Sequence, residues 1–130
     1  MDFELTEEQK IIQNTARDFT INEIEPYAAN FDAGKDKDIF LKNLKNLSKL
    51  GFMGLNIKEF YGGCSAGVIA FSLVITEIAK ACASTAVTLS VSNMVAEVIQ
   101  MVGNEEQKHK YITHLTGGNC YAASFALSES

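Results

Sequence analysis

The strongest constraint on this chain is a nearly uncharged stretch at residues 68–102. It contains only three charged side chains, those of Glu77, Lys80 and Glu97. Its length and spacing predict two helices, at about 68–82 and 85–101, with a break near 83–85. A helix that is apolar on nearly all sides belongs in the interior of a larger assembly. We therefore expect these two helices to pack against more polypeptide than the 130 residues provide.

The apolar stretches do not predict a membrane span. The uncharged runs at 60–76 and 81–96 are shorter than the roughly 18 residues that a span needs, and they carry polar side chains. The chain opens with acidic rather than basic residues, which is not typical of a signal peptide. Its three cysteines form no CxxC pair, which favours a reducing compartment. These features predict a cytoplasmic protein.

The charge balance argues against a nucleic-acid partner. The net charge is −5, Arg17 is the single arginine, and the ten lysines are scattered. Binding to nucleic acid requires clustered cationic groups that displace counterions. A length of 130 residues corresponds to one domain with a core of its own.

The rest of the chain also favours helices. A capping box from Thr6 to Gln9 opens a helix over 6–24, and Pro26 predicts a break or kink. A polar connection at 28–37 precedes a second helix at about 38–50, which Gly51 ends.

Two further segments complete the prediction. The glycine-rich residues 51–67 carry large apolar side chains, which predicts an ordered loop packed under other elements. A second capping pattern at 104–107 begins a fifth helix that runs to about Leu115. The aromatic residues of the run at 120–127 favour a strand.

The residues alone point to no catalytic chemistry. His109 and His114 are five apart and do not share a helix face, and no phosphate-binding or nucleophile motif is present. The cysteines are most simply small packing residues. We therefore predict neither a catalytic residue nor a metal ligand in this chain.

The succession of local patterns resembles the amino-terminal portion of acyl-CoA dehydrogenases. The similar segments cover essentially the whole chain in the family's order. They are FELTEEQ at 3–9, ANFD at 29–32, LGFMGL at 50–55 with EFYGG at 59–63, ITEIAKACASTA at 75–86, GNEEQK at 103–108 and FALSE at 125–129. Lys58 and Ser130 stand where the family commonly has proline.

The resemblance implies a fold and a domain division. The expected fold class is all-α, an orthogonal or up-down bundle of about five helices, followed by a short strand. Residues 1–118 would form the helical domain, and 119–130 would begin a middle β-domain whose remainder is absent. In the family, the later domains carry most flavin contacts and the catalytic glutamate.

The resemblance also implies a function, the FAD-dependent oxidation of acyl-CoA thioesters to trans-2-enoyl products. Val87, Ser90, Val91 and Met94 would face the acyl chain, and Phe125, Leu127 and Ser128 would approach the flavin. The implied partners are acyl-CoA, an electron-transfer flavoprotein and further copies of the chain. The chain alone is expected to be inactive because the base lies elsewhere in the family.

Two alternatives remain open at this level. A helical binding or oligomerisation module could reuse the fold without redox chemistry. An acyl-CoA oxidase or a flavin-dependent monooxygenase shares the helical domain and differs mainly beyond residue 130.

Overall fold

The structure is a computed structural model that describes residues 3–128. Within that range it is all-helical, as predicted, with five principal helical segments. Their α-helical parts are α1 (Glu7–Phe19), α2 (Ala28–Asp32), α3 (Lys37–Lys49), α4 (Gly67–Ala79), α5 (Ala83–Val102), α6 (Glu105–Gln107) and α7 (Thr113–Thr116).

At Pro26, where the sequence predicts a break or kink, the first segment stays helical but changes its hydrogen-bonding pattern. A π turn (Thr20–Ile24) and a 3₁₀ turn (Glu25–Tyr27) join α1 to α2. Pro26 lies in the first turn of the 3₁₀ piece, where its missing N–H costs no hydrogen bond. The prediction of a polar connection at 28–37 is thus wrong for the first half of that range. The chain is helical there, and the rings of Tyr27 and Phe31 stack along the segment.

Both predicted capping boxes are present. Thr6 Oγ1 accepts the amide of Gln9 at 3.2 Å, and Gln9 Oε1 accepts the amide of Thr6 at 3.0 Å. Asn104 and Gln107 make the same reciprocal pair at 2.9 Å in both directions. The second box begins a helix that runs through α6, a π turn (Lys108–Ile112) and α7. Local hydrogen bonding therefore sets both helix starts.

The loop between α3 and α4 is ordered and buried, as predicted. It contains two 3₁₀ turns, Phe52–Gly54 and Glu59–Tyr61, and the side chains of Phe52, Leu55 and Ile57 lie in the core. At Gly63 the backbone approaches so closely that a Cβ would lie 2.1 Å from the carbonyl oxygen of Ile57. Only glycine fits there.

Helix α5 is the central element of the fold. It packs on α4, which in turn packs on α1, and it also contacts α3, the Phe52–Gly54 turn and the Lys108–Ile112 turn. Its length and apolar composition would also suit a membrane span. The inward residues Leu89, Asn93 and Ala96 are nevertheless almost fully buried against these neighbours.

The strand predicted for 120–127 is not formed. Residues 122–128 have no regular secondary structure. A strand needs a partner whose backbone completes the hydrogen-bond ladder, and no strand exists elsewhere within residues 3–128. Met1, Asp2, Glu129 and Ser130 lie outside the described residues, so the predictions that fall on them are untested.

Candidate functional site

One face of α5 is apolar and mostly exposed from Val87 to Val102. Spacings of three and four residues place its members on one side. We call this face the outer stripe: Val87, Val91, Met94, Val98, Met101 and Val102. Val87 is 60% exposed and Val102 78% exposed, although both are aliphatic. The stripe contains no charged side chain, so it is suited to an apolar ligand or to another protein surface.

The four predicted substrate-binding residues lie on this side of α5. Val87 and Met94 are exposed members of the stripe, Val91 is half-buried within it, and Ser90 is half-buried at its edge. The helix therefore brings all four to one surface. They are accessible in this fold rather than enclosed in its core.

The opposite face of α5 is fixed by polar side chains. Asn93 is 1% exposed. Its Oδ1 accepts the amide of Leu55 at 3.0 Å, and its Nδ2 donates to the carbonyl oxygens of Phe52 at 2.8 Å and Leu89 at 3.0 Å. This amide ties the α3–α4 loop to α5. These bonds thereby fix the rotation of α5 about its axis, and in that rotation the outer stripe faces outward.

A second inward residue, Ser92, holds the terminal segment. Its Oγ donates to the carbonyl oxygen of Thr88 at 2.7 Å and accepts the amide of Ala123 at 3.1 Å. The amide of residue 123 is therefore bound to a buried, inward-facing side chain of α5. This bond attaches to α5 the segment that carries the predicted cofactor-binding residues.

The predicted cofactor-binding residues themselves extend away from the helical body. Phe125 is 48% exposed and Leu127 is 77% exposed, and Ser128 is exposed as well. Within residues 3–128, no hydrogen bond or ring contact joins these three side chains to α5. The structure therefore attaches their segment to α5 through Ser92, but it brings none of the three side chains to the stripe.

A cleft that the sequence did not suggest lies beside the stripe. Its volume is about 380 Å³, and it separates the second half of α5 from the last helical segment. Its apolar walls are Val95, Ala96, Ile99, Ile112, Leu115 and Ala123. Lys110, Tyr111, His114 and Cys120 complete the lining. The sequence signal was weak, because its residues come from three separate segments.

Ionised groups cluster away from this region, at the contact of α1 with α4. The carboxylate of Glu77 is 2% exposed and lies 3.1 Å from Arg17 Nη2 and 2.8 Å from Lys80 Nζ. Gln13 Nε2 donates to it at 3.0 Å. Burial alone would raise the pKa of Glu77, but the hydrogen bonds from Arg17, Lys80 and Gln13 outweigh burial and leave that pKa below its ordinary value.

A smaller polar contact closes the loop against the last helix. Tyr61 donates its hydroxyl hydrogen to Glu105 Oε2 at 2.6 Å. This bond raises the pKa of Tyr61 and lowers the pKa of Glu105. The rings of Phe60 and Tyr61 contact His109 edge-on at 5.1 and 5.3 Å. His109 and His114 are both exposed, and no metal-binding group of three His, Cys, Asp or Glu side chains occurs in residues 3–128.

Comparisons with known proteins agree with the helical fold. Residues 6–119 match the family model described as acyl-CoA dehydrogenase, N-terminal domain. The short-chain specific acyl-CoA dehydrogenase of Clostridium acetobutylicum is 35% identical over 130 residues, which are 99% of this chain and 34% of that protein.

Solved structures give the same result. The butyryl-CoA dehydrogenase of Megasphaera elsdenii superposes with a TM-score of 0.79 at 32% identity, over 92% of this chain and 32% of that one. An acyl-CoA dehydrogenase of Bacillus anthracis, solved in complex with FAD, superposes with a TM-score of 0.79 at 28% identity, over 89% of this chain and 20% of that one.

The chain spans about a third of the length of the curated relatives that it matches. The match to the family model nevertheless extends over most of these 130 residues, and the helical fold agrees with it. The chain belongs to the acyl-CoA dehydrogenase family and corresponds to its N-terminal helical domain.

Proposed function

We propose that this chain forms the amino-terminal wall of the active site of an FAD-dependent acyl-CoA dehydrogenase. The reaction is the α,β-dehydrogenation of an acyl-CoA thioester. The main support is the outer stripe, a charge-free surface on the central helix that the chain itself leaves uncovered. Apolar lining of this kind suits a hydrocarbon tail.

The proposed substrate contacts are those of Val87, Ser90, Val91 and Met94 with the acyl chain. Small and medium-sized side chains leave room for an unbranched tail, and each methylene that they bury contributes about 0.8 kcal/mol to binding. Met94 has the longest flexible side chain of the four, so it can adapt its shape to the tail. The role of these residues is to bind and to exclude water.

The proposed cofactor contacts are those of Phe125, Leu127 and Ser128. An exposed ring, an exposed aliphatic side chain and a hydroxyl within four residues fit a flat group with apolar faces and a hydrogen-bonding edge. When bound, FAD supplies the hydride acceptor of the reaction. The hydrogen bond between Ser92 and Ala123 holds this segment at α5. We assign no catalytic base to this chain, and we expect it to be inactive alone.

The wider assignments follow from the family and are part of the proposal. The partners would be acyl-CoA, an electron-transfer flavoprotein and further copies of the same chain. The proposed location is the cytoplasm. The exposed stripe is consistent with a domain that completes its surface against other polypeptide.

A chimeric enzyme tests the proposed function. Residues 1–130 would replace the corresponding part of the short-chain specific acyl-CoA dehydrogenase of Clostridium acetobutylicum, which is 35% identical. The chimera should be yellow and should oxidise butyryl-CoA with an artificial electron acceptor. The chain alone should show no turnover in the same assay.

A charge in the stripe sharpens the test. In the chimera, Met94→Asp should raise KM for butyryl-CoA by at least about tenfold, because the acyl chain would meet a carboxylate, while the flavin absorbance stays unchanged. The exposed position Lys42 on α3 provides the control, and Lys42→Asp should change neither quantity. A folded but colourless and inactive chimera would overturn the proposal and favour a helical binding module.

A further inference from the structure

The cleft beside α5 is lined by residues other than those of the outer stripe. None of Val87, Ser90, Val91 and Met94 lines it. Its volume of about 380 Å³ lies within the range of about 300–1,000 Å³ that is usual for small-molecule sites. A neighbouring hollow of about 400 Å³ shares Ile99 and Tyr111 with it and is lined by Val98 and Val102 of the outer stripe.

The charges around this cleft are of one sign. Lys110 and His114 are its only ionisable basic side chains, and no Asp or Glu lines it, although the chain has a net charge of −5. Lys110 forms no ion pair within residues 3–128. Its ammonium group lies 5.3 Å from the centre of the Tyr111 ring. The cleft therefore combines an apolar floor with an unpaired cation at its edge.

We propose that this cleft binds a linear alkyl carboxylate, such as a free medium-length fatty acid. The tail lies between Val95, Ile99 and Leu115, and the carboxylate pairs with Lys110. An apolar ligand without a charge would leave the cation unused, and a cationic amphiphile would be repelled by it. This site does not depend on the function proposed for the outer stripe.

Calorimetric titration of the chain with hexanoate, octanoate and decanoate at about pH 8 tests the proposal. Binding should be one to one. The Kd should fall about fourfold for each added methylene until the cleft is full, since each buried methylene contributes about 0.8 kcal/mol. Amide shifts in NMR spectra should centre on Val95, Ile99 and Lys110.

Substitutions separate the contributions of the head group and the tail. Lys110→Gln should raise the Kd of decanoate about two- to fivefold, because an exposed ion pair contributes at most about 1 kcal/mol. The Kd of the uncharged 1-decanol should stay unchanged. The matched variant Lys49→Gln removes an exposed lysine on α3 and should affect neither ligand. Ala123→Leu places a larger side chain at the cleft and should weaken both ligands on the order of tenfold.

Three results would overturn the proposal. The first is the absence of saturable binding by the correctly folded chain. The second is an equal loss of affinity for decanoate and for 1-decanol in the Lys110→Gln variant. The third is a set of amide shifts centred on Val87 and Met94, which would place the tail on the outer stripe instead.

Discussion

The two faces of α5 depart from the usual distribution of polar and apolar residues. The inward face buries Thr85, Ser92 and Asn93 among its apolar contacts, whereas the outward face exposes valines and methionines. A surface helix ordinarily turns its apolar side to the core. The difference shows that polar contacts fix the orientation of this helix. The outer stripe is left free for a ligand or for another part of a larger protein.

The inward polar groups are tolerated because they are hydrogen-bonded. Buried polar atoms without partners are strongly unfavourable, but Asn93 uses both ends of its amide and Ser92 both donates and accepts. The hydrogen bonds of Asn93 to the α3–α4 loop are directional, whereas apolar contacts are not. The comparison therefore predicts large losses of stability for inward polar substitutions and small ones for outward apolar substitutions.

Among the inward polar positions, Asn93→Leu should give the largest effect. The substitution leaves the buried amide of Leu55 and the carbonyl oxygen of Phe52 without their partner. Each unsatisfied group costs about 1–3 kcal/mol, so the free energy of unfolding should fall by about 2–4 kcal/mol. Urea denaturation followed by circular dichroism measures this change.

The matched control lies one residue further along the helix. Met94→Leu keeps an apolar side chain at an exposed position and should change the free energy of unfolding by less than about 0.5 kcal/mol. If Asn93→Leu and Met94→Leu lowered the free energy of unfolding by similar amounts, the distinction between the two faces would be wrong.

Glu77→Gln should have the next largest effect. The buried carboxylate accepts bonds from three side chains, and a neutral amide cannot replace its ion pairs with Arg17 and Lys80. Both cations remain partly exposed, so solvent screens the pairs, and the expected loss is about 1–2 kcal/mol rather than that of a fully buried pair.

This loss should depend on pH. The pKa of Glu77 is lower in the folded chain than its ordinary value, so the ionised carboxylate stabilises the fold fully above that ordinary value. The stabilisation disappears as the pH falls through the lowered pKa. Urea titrations of the wild type and of Glu77→Gln should therefore converge at low pH. A difference that stays constant from neutral to acidic pH would exclude the ionised state as the cause.

The sequence predicted the helical framework well because its signals are local. The capping residues Thr6 and Asn104 and the terminating Gly51 each act within one helical turn, and each has its predicted role. The uncharged residues 68–102 also predicted an uncovered apolar surface. In both cases the signal lies in contiguous residues and needs no knowledge of the tertiary contacts.

The remaining features depend on contacts that are distant in the sequence. A strand at 120–127 requires a partner strand, which residues 3–128 do not supply. The role of Asn93 depends on the backbone of a loop about 40 residues earlier, and the cleft joins Val95 to Leu115 and Ala123. The predicted site residues were placed by family resemblance rather than by physical signal, and their roles remain predictions.

Ser92→Ala should have a smaller, local effect. It removes the acceptor of the Ala123 amide and the donor to the carbonyl oxygen of Thr88. The free energy of unfolding of the whole chain should fall by about 1 kcal/mol. Hydrogen exchange at the Ala123 amide should accelerate strongly. Exchange in the core of α4 should change only as much as the lower stability of the whole chain requires. Ser92→Thr keeps the hydroxyl and should restore protection of that amide. Unchanged exchange at Ala123 in the alanine variant would mean that other contacts hold the segment.

The smallest change in stability is expected on the outer stripe. In the double variant Met94→Gln, Met101→Gln, both side chains are already exposed, and glutamine has nearly the helix propensity of methionine. The free energy of unfolding should change by less than about 0.5 kcal/mol, while binding of a hydrophobic dye should fall because the stripe becomes polar. Leu89→Gln makes the same change on the fully buried side and should cost at least about 3 kcal/mol. If the double variant were destabilised as much as Leu89→Gln, the stripe would belong to the core of this chain and could not form the wall of a substrate site.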